Sequence, residues 1–366
     1  MIQEMHGNLL EAQAEALVNT VNTVGVMGKG IALQFKRAFP ANYKAYKRAC
    51  DQGALELGHM FVWDAGALVS EGPRYIINFP TKKHWRSKSK LADVRSGLDD
   101  LVRQLKDLSI KSVAVPPLGC GNGGLEWRHV RPLIERAFEQ VPDVTVLLYP
   151  PEGAPSAAEQ PVHTDRPKMT AGRAALVGIM RRYLPFAVEI TTVDIQKVMY
   201  FMQESGEHLR LSYTKGRYGP YADNLRHVLS SMEGHFIRGT GDGSMRALDS
   251  IPFELLPDAV PAAEAVLSEQ PATATRMDRV ARLIEGFEST YGLELLATVH
   301  WAAQHDDEGV RRPAPLVLGD VERVVSTWSL RKERLFTSRH LAKAYERLET
   351  GGWLEPAAPA GMFATA

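Results

Sequence analysis

The strongest constraint on this chain is a pair of glycine-rich loops, each lying between an apolar run and a helical pattern. The first is Asn19-Thr20-Val21-Asn22-Thr23-Val24-Gly25-Val26-Met27-Gly28-Lys29-Gly30, leading into an expected helix Ile31–Phe39. The second is Pro116-Pro117-Leu118-Gly119-Cys120-Gly121-Asn122-Gly123-Gly124, leading into an expected helix from Glu126. Glycine lets the backbone approach a ligand closely, and a helix start offers unpaired amides. Open α/β sheets bind ligands at such places, outside the strand ends. Two such loops can grip a diphosphate from both sides. Neither fits G-x-x-x-x-G-K-[ST] or a clean G-x-G-x-x-G, which disfavours a nucleoside triphosphate or an ordinary dinucleotide site. Taken singly, either loop reads equally well as a turn joining strand to helix.

The surrounding pattern agrees with an α/β layer. Glu15–Asn22, Met60–Asp64, Tyr75–Phe79, Ser112–Pro116 and Val144–Tyr149 read as short buried strands. Asp93–Leu108 places Val94, Leu98, Leu101, Leu105 and Leu108 on one helical stripe, and Glu126–Gln140 does the same with Val130, Leu133, Ile134 and Phe138. Strands alternating with helices of this length predict a three-layer α/β/α domain with a mixed sheet over residues 1–152. The stretch 153–169, rich in Pro, Ala and polar residues, reads as a linker. Beyond it, Ala171–Tyr183, Asp194–Glu204, Tyr221–Met232, Arg276–Tyr291 and Ser338–Glu349 look helical, and the run from His340 to Glu355 resembles a helix turning into a short wing. A second, mainly helical domain over 170–355 is expected, followed by a tail, 356–366.

Charge separates the halves. The whole chain of 366 residues is formally neutral. Residues 1–150 nevertheless hold 19 Lys and Arg against 15 Asp and Glu, an excess of 4 that the remainder balances. Much of the excess lies in Thr81-Lys82-Lys83-His84-Trp85-Arg86-Ser87-Lys88-Ser89-Lys90. A basic stretch on one domain suits an anionic ligand or nucleic acid. Two cysteines, Cys50 and Cys120, are too few for a disulfide framework or a Cys-based zinc site, and no His spacing suggests a metal. No apolar stretch approaches a membrane span, and the amino terminus lacks a signal-peptide pattern. The expectation is a reduced, cytoplasmic protein, monomeric alone, with no membrane partner.

At the two loops a resemblance becomes plain. EALVNTVNTVGVMGKGIALQFK resembles the first signature of macrodomains, and VPPLGCGNGGLEW resembles their second. With INFPTKKHWRSKSKL between them, residues 1–150 are similar to the macrodomain of the DarG antitoxin family, in the branch of the terminal ADP-ribose glycohydrolases. The resemblance implies an ADP-ribose pocket, with ADP-ribose as ligand and product and no cofactor. It also implies removal of ADP-ribose from thymine bases in single-stranded DNA.

The same resemblance assigns roles. Breaking the bond between a ribose anomeric carbon and a base nitrogen builds oxocarbenium-like charge on the sugar. Lys82 matches the lysine that does the chemistry in this branch, and a lysine with a depressed pKa can attack such a carbon. By residue type alone, Lys82 reads first as part of a solvated basic face with Lys83, Arg86, Lys88 and Lys90. Asn22 matches the asparagine at the distal ribose; its local alternative is a turn cap. Substrate contacts fall to Asn8 and Leu9, where many macrodomains carry an adenine-reading aspartate; to Val21, Met27, Gly28, Lys29, Gly30 and Ile31; to Thr81; and to Pro117, Leu118, Gly119, Cys120, Gly121, Asn122, Gly123, Gly124 and Leu125. Cys120 itself reads best as a small packing residue. Lys83, His84, Trp85 and Arg86 read as a single-strand groove, an aromatic among cations, or as edge packing. One departure stands out: the branch's loop carboxylate, partner of the lysine, falls at Gly123, with Asn122 beside it. A reader of ADP-ribose without turnover is the alternative that this loss favours.

The second half offers no catalytic constellation. Its run Ile195-Gln196-Lys197-Val198-Met199-Tyr200-Phe201 and the segment Gly216-Arg217-Tyr218-Gly219-Pro220-Tyr221 weakly resemble the Panacea antitoxin domain. That resemblance implies a cognate DarT-like toxin as partner. A helix core followed by a tight turn explains the same residues.

Overall fold

The computed structural model describes residues 1–66, 72–151, 155–156, 158–183, 189–243 and 252–355. The tail assigned to 356–366 lies outside the described residues. Two compact units divide the chain: Met1–Asp165 together with the short stretch that begins at Gly241, and Arg166–Thr240 with the remainder.

The first unit is built on six strands: β1 (Ile2–Glu4), β2 (Ala16–Asn22), β3 (Phe61–Asp64), β4 (Tyr75–Lys82), β5 (Ser112–Val115) and β6 (Thr145–Leu148). Their order is β1-β6-β5-β2-β4-β3, with every pairing parallel except β3 with β4. Four helices join them: α1 (Gly30–Ala38), α2 (Pro40–Asp51), α3 (Leu91–Asp107) and α4 (Trp127–Phe138). Side chains alternate across each strand, so the sheet has two apolar faces. Ala16, Val18, Tyr75, Ile77 and Phe79 turn to one side, against Val94, Leu98 and Leu101 of α3 and Val130 and Ile134 of α4. Leu17, Ile76, Ala114 and Leu147 turn to the other, against Phe35 and Ala38 of α1. This is the expected three-layer arrangement.

Burial fixes the end of β4. Phe79 is fully buried, and hiding such a side chain contributes about 1.5–3 kcal/mol. Its ring occupies the space that a β-carbon on Gly97 would need, so α3 lies close on the strand. The strand runs to Lys82, beyond the expected stop at Phe79. Pro80 reads in sequence as a terminator because it has no N–H to donate. In the fold it pairs with Val21, and the register shifts by one residue immediately after, so that Asn22 faces Lys82. Two elements went unforeseen: β1, which is short and exposed along its length, and α2, whose outer face is polar.

The second unit comprises α5 (Ala171–Tyr183), α6 (Thr192–Glu204), the hairpin β7 (Tyr213–Gly216) and β8 (Gly219–Ala222), α7 (Leu225–Met232), the pair β9 (Ile237–Arg238) and β10 (Glu254–Leu255), and then α8 (Ala259–Leu267), α9 (Pro271–Ile284), α10 (Thr290–Gln304), α11 (Leu318–Trp328), α12 (Leu330–Leu335) and α13 (Ser338–Thr350). Its core surrounds α10, which is buried from Gly292 to Gln304. Three expectations need correction. The helix expected over Tyr221–Met232 begins only at Leu225, because Tyr221 and Ala222 still belong to the hairpin that Gly219, at φ +92°, closes against Gly216. The helix expected over Arg276–Tyr291 is two helices, broken where Gly286 takes φ +80°. The wing after α13 forms no strand among the described residues; Trp353 instead turns into the core, its ring 5.4 Å from that of Phe201.

Candidate functional site

The first glycine loop is shaped by the residue that ends β2. Asn22 Oδ1 accepts from the amides of Val24 (3.1 Å) and Val26 (3.2 Å), and its Nδ2 donates to the Val26 carbonyl at 2.5 Å. The Tyr46 hydroxyl, buried on α2, donates to the Asn22 carbonyl at 2.7 Å. Both ends of the Asn22 amide are thus committed to the loop, which is the turn-capping role. Met27 and Val21 are buried with Tyr46 and Leu55 in a small core beneath it. Their side chains support the loop rather than line an opening. Lys29 is exposed, and Gly28, Gly30 and Ile31 are half-buried at the start of α1. Gly30 sits at φ +62°, and its N–H donates to the carbonyl of Asp242 at 2.8 Å. The stretch beginning at Gly241 is too far along the chain for local pattern to assign it here. Arg37 Nη1 donates to the Gly241 carbonyl at 2.5 Å.

The second loop, by contrast, is held from outside. Cys120 and Leu125 close it with backbone bonds to Pro117 and Gly119, both 3.0 Å. Leu118 is fully buried in the main core, while Pro117, Cys120 and Leu125 are half-buried, and Gly121, Asn122 and Gly124 are exposed. Two further bonds come from the connection between β4 and α3. The Lys82 Nζ donates to the Asn122 carbonyl at 3.1 Å, and the Ser89 N–H donates to the Gly123 carbonyl at 3.0 Å. The loops also approach one another: a β-carbon on Gly30 would lie 3.0 Å from Asn122 Nδ2.

Lys82 therefore stands at the end of β4, opposite Asn22 and against the second loop. It is half-buried, and that burial pushes its ammonium below the ordinary lysine range. Its resolved partner is a neutral carbonyl, which does not favour the charged form as a carboxylate would. Position 123 cannot supply that carboxylate. A β-carbon there would overlap the Gly119 carbonyl oxygen and Ser89 Oγ. Cys120 is pushed up to about 11 by burial, which keeps it a thiol near neutral pH and agrees with a packing role.

Beyond Lys82 the basic run lies open. Lys83 and Arg86 are exposed and His84 half-buried. Trp85 is 45% exposed, with the Arg86 guanidinium 4.5 Å from its ring centre and the His84 ring at 5.2 Å. The Lys83 carbonyl accepts from the Thr23 N–H at 3.1 Å, tying the run to the first loop. Thr81 is buried and bridges the strands through the Val21 carbonyl at 3.4 Å. Two of the expected contact residues are otherwise engaged. Leu9 is buried in core, and the Asn8 amide caps Leu10 at 3.1 Å and donates to the Glu159 carbonyl at 2.8 Å. Residues read from sequence as a linker thus pack on this unit, and His163 bonds the carbonyl of Arg37 through its N–H at 2.8 Å. The sequence reading missed Ser89, whose small polar side chain carries no signal within a basic run.

In the second unit the two runs that stood out in sequence meet. Gln196 exchanges two bonds of 2.9 Å with the backbone of Ala222, and the buried Lys197 donates to the Pro220 carbonyl at 2.7 Å. The pair docks the hairpin β7–β8 on α6, which gives both runs a structural purpose. Lys332, also fully buried, meets Glu294 at 2.7 Å and Thr298 at 2.9 Å. Among the described residues no helix is long and apolar enough to cross a membrane.

A mixed sheet between helical layers, with two glycine loops at its strand ends, defines a macrodomain, and residues 18–134 match the Macro domain family. The whole chain is 46% identical over 360 residues to the DNA ADP-ribosyl glycohydrolase of Mycobacterium tuberculosis, covering 95% of this chain and 99% of that one. A Thermosipho africanus DNA ADP-ribosyl transferase–DNA ADP-ribosyl glycohydrolase fusion protein is 36% identical over 160 residues, 40% of this chain and 41% of its own. The solved macrodomain of Mycobacterium tuberculosis DarG is 58% identical, covering 42% of this chain and 99% of that one, with a TM-score of 0.41. The chain belongs to the DNA ADP-ribosyl glycohydrolase family, a family of hydrolases.

Proposed function

We propose that the first unit hydrolyses ADP-ribose from thymine bases of single-stranded DNA, with Lys82 at the reacting sugar. The observation that carries this reading is the place of the Lys82 amine, on the second glycine loop, facing the end of the first, beside an exposed Trp85–Arg86 pair. Hydrolysis breaks the bond from the anomeric carbon to the base nitrogen. One water adds its oxygen to that carbon, and a proton goes to the base. Burial shifts this amine toward its neutral form, the form able to attack or to take a proton. The glycine loops supply backbone amides for the diphosphate, and Lys83, His84, Trp85 and Arg86 receive the flanking nucleotides by stacking and charge. The test is release of ADP-ribose from a modified thymidine oligonucleotide. Lys82→Ala should lose ~100-fold or more in turnover while still binding ADP-ribose. Calorimetric binding without any release by the wild-type chain would make it a reader instead.

The second unit, in this proposal, binds and neutralises a DarT-type transferase. The fusion of the two activities in the Thermosipho africanus relative supports a functional pairing. Full-length Lys82→Ala protein should still bind such a transferase and suppress its activity. Loss of suppression together with loss of hydrolysis would show that protection comes from the hydrolase alone.

A further inference from the structure

The amide end of α1 is left open by its own sequence. Lys29 stands at the N-cap, where a lysine has no acceptor to offer, and no acidic residue lies in the first turn. A helix start without a cap of its own keeps backbone amides for another partner, and those amides favour an anion. Gly30, the first residue of α1, also faces the second loop, since a β-carbon on it would lie 3.0 Å from Asn122 Nδ2. A diphosphate gripped between the two loops therefore meets the Gly30 N–H. That N–H is already engaged. It donates to the Asp242 carbonyl at 2.8 Å, from a stretch far along the chain that belongs to the first unit. The stretch, Gly241-Asp242-Gly243, is itself glycine-rich, with φ +51° at Gly241 and +69° at Gly243, and its first two residues are buried. Arg37, in the last turn of α1, holds the Gly241 carbonyl through Nη1 at 2.5 Å. At the other end, a β-carbon on Gly243 would lie 3.6 Å from the Gly28 carbonyl oxygen and 3.8 Å from Lys29 Cγ. The stretch thus runs from the last turn of α1 to the first glycine loop.

We propose that residues 241–243 are a built-in competitor of the ADP-ribose diphosphate: they cap α1 at Gly30 and are displaced when an anionic oxygen of the ligand takes that amide. The inference rests on the reading that the two loops receive ADP-ribose. A charged phosphate oxygen makes a stronger bond to an N–H than a neutral carbonyl does, so the ligand wins the exchange once it is seated. Fixing two glycines costs more backbone entropy than fixing other residues, so the margin that holds the stretch in place is small. The consequence is an affinity lowered by the fraction of molecules in which the stretch covers the amide.

The probe is ADP-ribose, titrated calorimetrically into the full chain. Arg37→Met removes the side-chain bond to the Gly241 carbonyl while keeping an aliphatic filling. Gly243→Val acts by backbone strain, because a branched residue is disfavoured at that positive φ. Each loosens the stretch and leaves both loops intact, and each should tighten ADP-ribose binding about three- to tenfold. In the wild-type chain, saturating ADP-ribose should speed amide hydrogen exchange across 241–243. A stretch that forms a wall of the pocket behaves oppositely: the variants bind more weakly, and exchange there slows with ligand. Either of those results overturns the proposal, as does unchanged affinity in both variants. Should Arg37→Met fail to fold, Gly243→Val and the wild-type exchange decide the matter. A wild-type chain that binds no ADP-ribose sinks the reading of the loops and this proposal with it, whereas binding that neither variant tightens sinks this proposal alone.

Discussion

The first glycine loop is held by the strand that leads into it, whereas the second is held by a connection from a neighbouring strand. In the first, one amide, that of Asn22, makes three bonds to residues two and four positions along. In the second, Lys82 at the end of β4 and the Ser89 N–H in the connection after it reach carbonyls far along the sequence, those of Asn122 and Gly123. The first loop thus has a local frame of its own, to which Tyr46, Lys83 and Asp242 add bonds from farther along the chain. The second loop depends on its holders, and one of them, Lys82, is the proposed reacting group. On that proposal the second loop is where binding and chemistry would be coupled.

Several substitutions separate the two arrangements. Gly123→Ala should have the largest effect, because the new methyl overlaps the Gly119 carbonyl and no flexible side chain can yield there; a loss of about 100-fold in kcat/KM is expected. A folded Gly123→Ala enzyme with wild-type kinetics would show that the loop is not held as described. Acidity comes next. Burial lowers the Lys82 ammonium, so the active amine forms at a lower pH than for an ordinary lysine, and activity is lost as pH falls through that lowered value. Below it, the rate should fall about tenfold per pH unit. A profile flat from acid to neutral pH would remove the neutral amine from the rate-limiting step. Asn22→Ala should act mainly on the first loop, weakening ADP-ribose binding several-fold and costing about 2–3 kcal/mol of stability through lost buried hydrogen bonds. Differential scanning and titration with ADP-ribose measure both. Smallest is Cys120→Ser: a thiol held at about 11 takes no part near neutral pH, so turnover should stay within about twofold.

Much of the first unit was legible because its central strands are short, continuous apolar runs, buried on both faces of the sheet, while the stripes of α3 and α4 recur at period 3.6. The two loops were legible for the same reason, since each marks the change from one pattern to the other. What escaped was non-local. Pro80 looks like an ending until β2 is paired beside it, and the Asp242 carbonyl at Gly30 is out of reach of any pattern in the neighbouring sequence. Ser89 is inconspicuous because its significance lies in the glycine it faces. In the second unit the hairpin closed at Gly219 delays one expected helix to Leu225, and Gly286, at positive φ, breaks another. Helical periodicity passes over one glycine easily, which is why the break at Gly286 was missed.

The single-residue register shift after Val21 sets the aim of Lys82. Side chains on a strand alternate, so without the shift Thr81 rather than Lys82 would stand across from Asn22, and the amine would point to the opposite face of the sheet. The place of this amine is therefore set by counting: one residue added or removed between Tyr75 and Lys82 would leave every side chain chemically intact and turn the amine away from Asn22 and the second loop. Substitutions at the site are graded in their effect. Changes of length in this strand would be all or none.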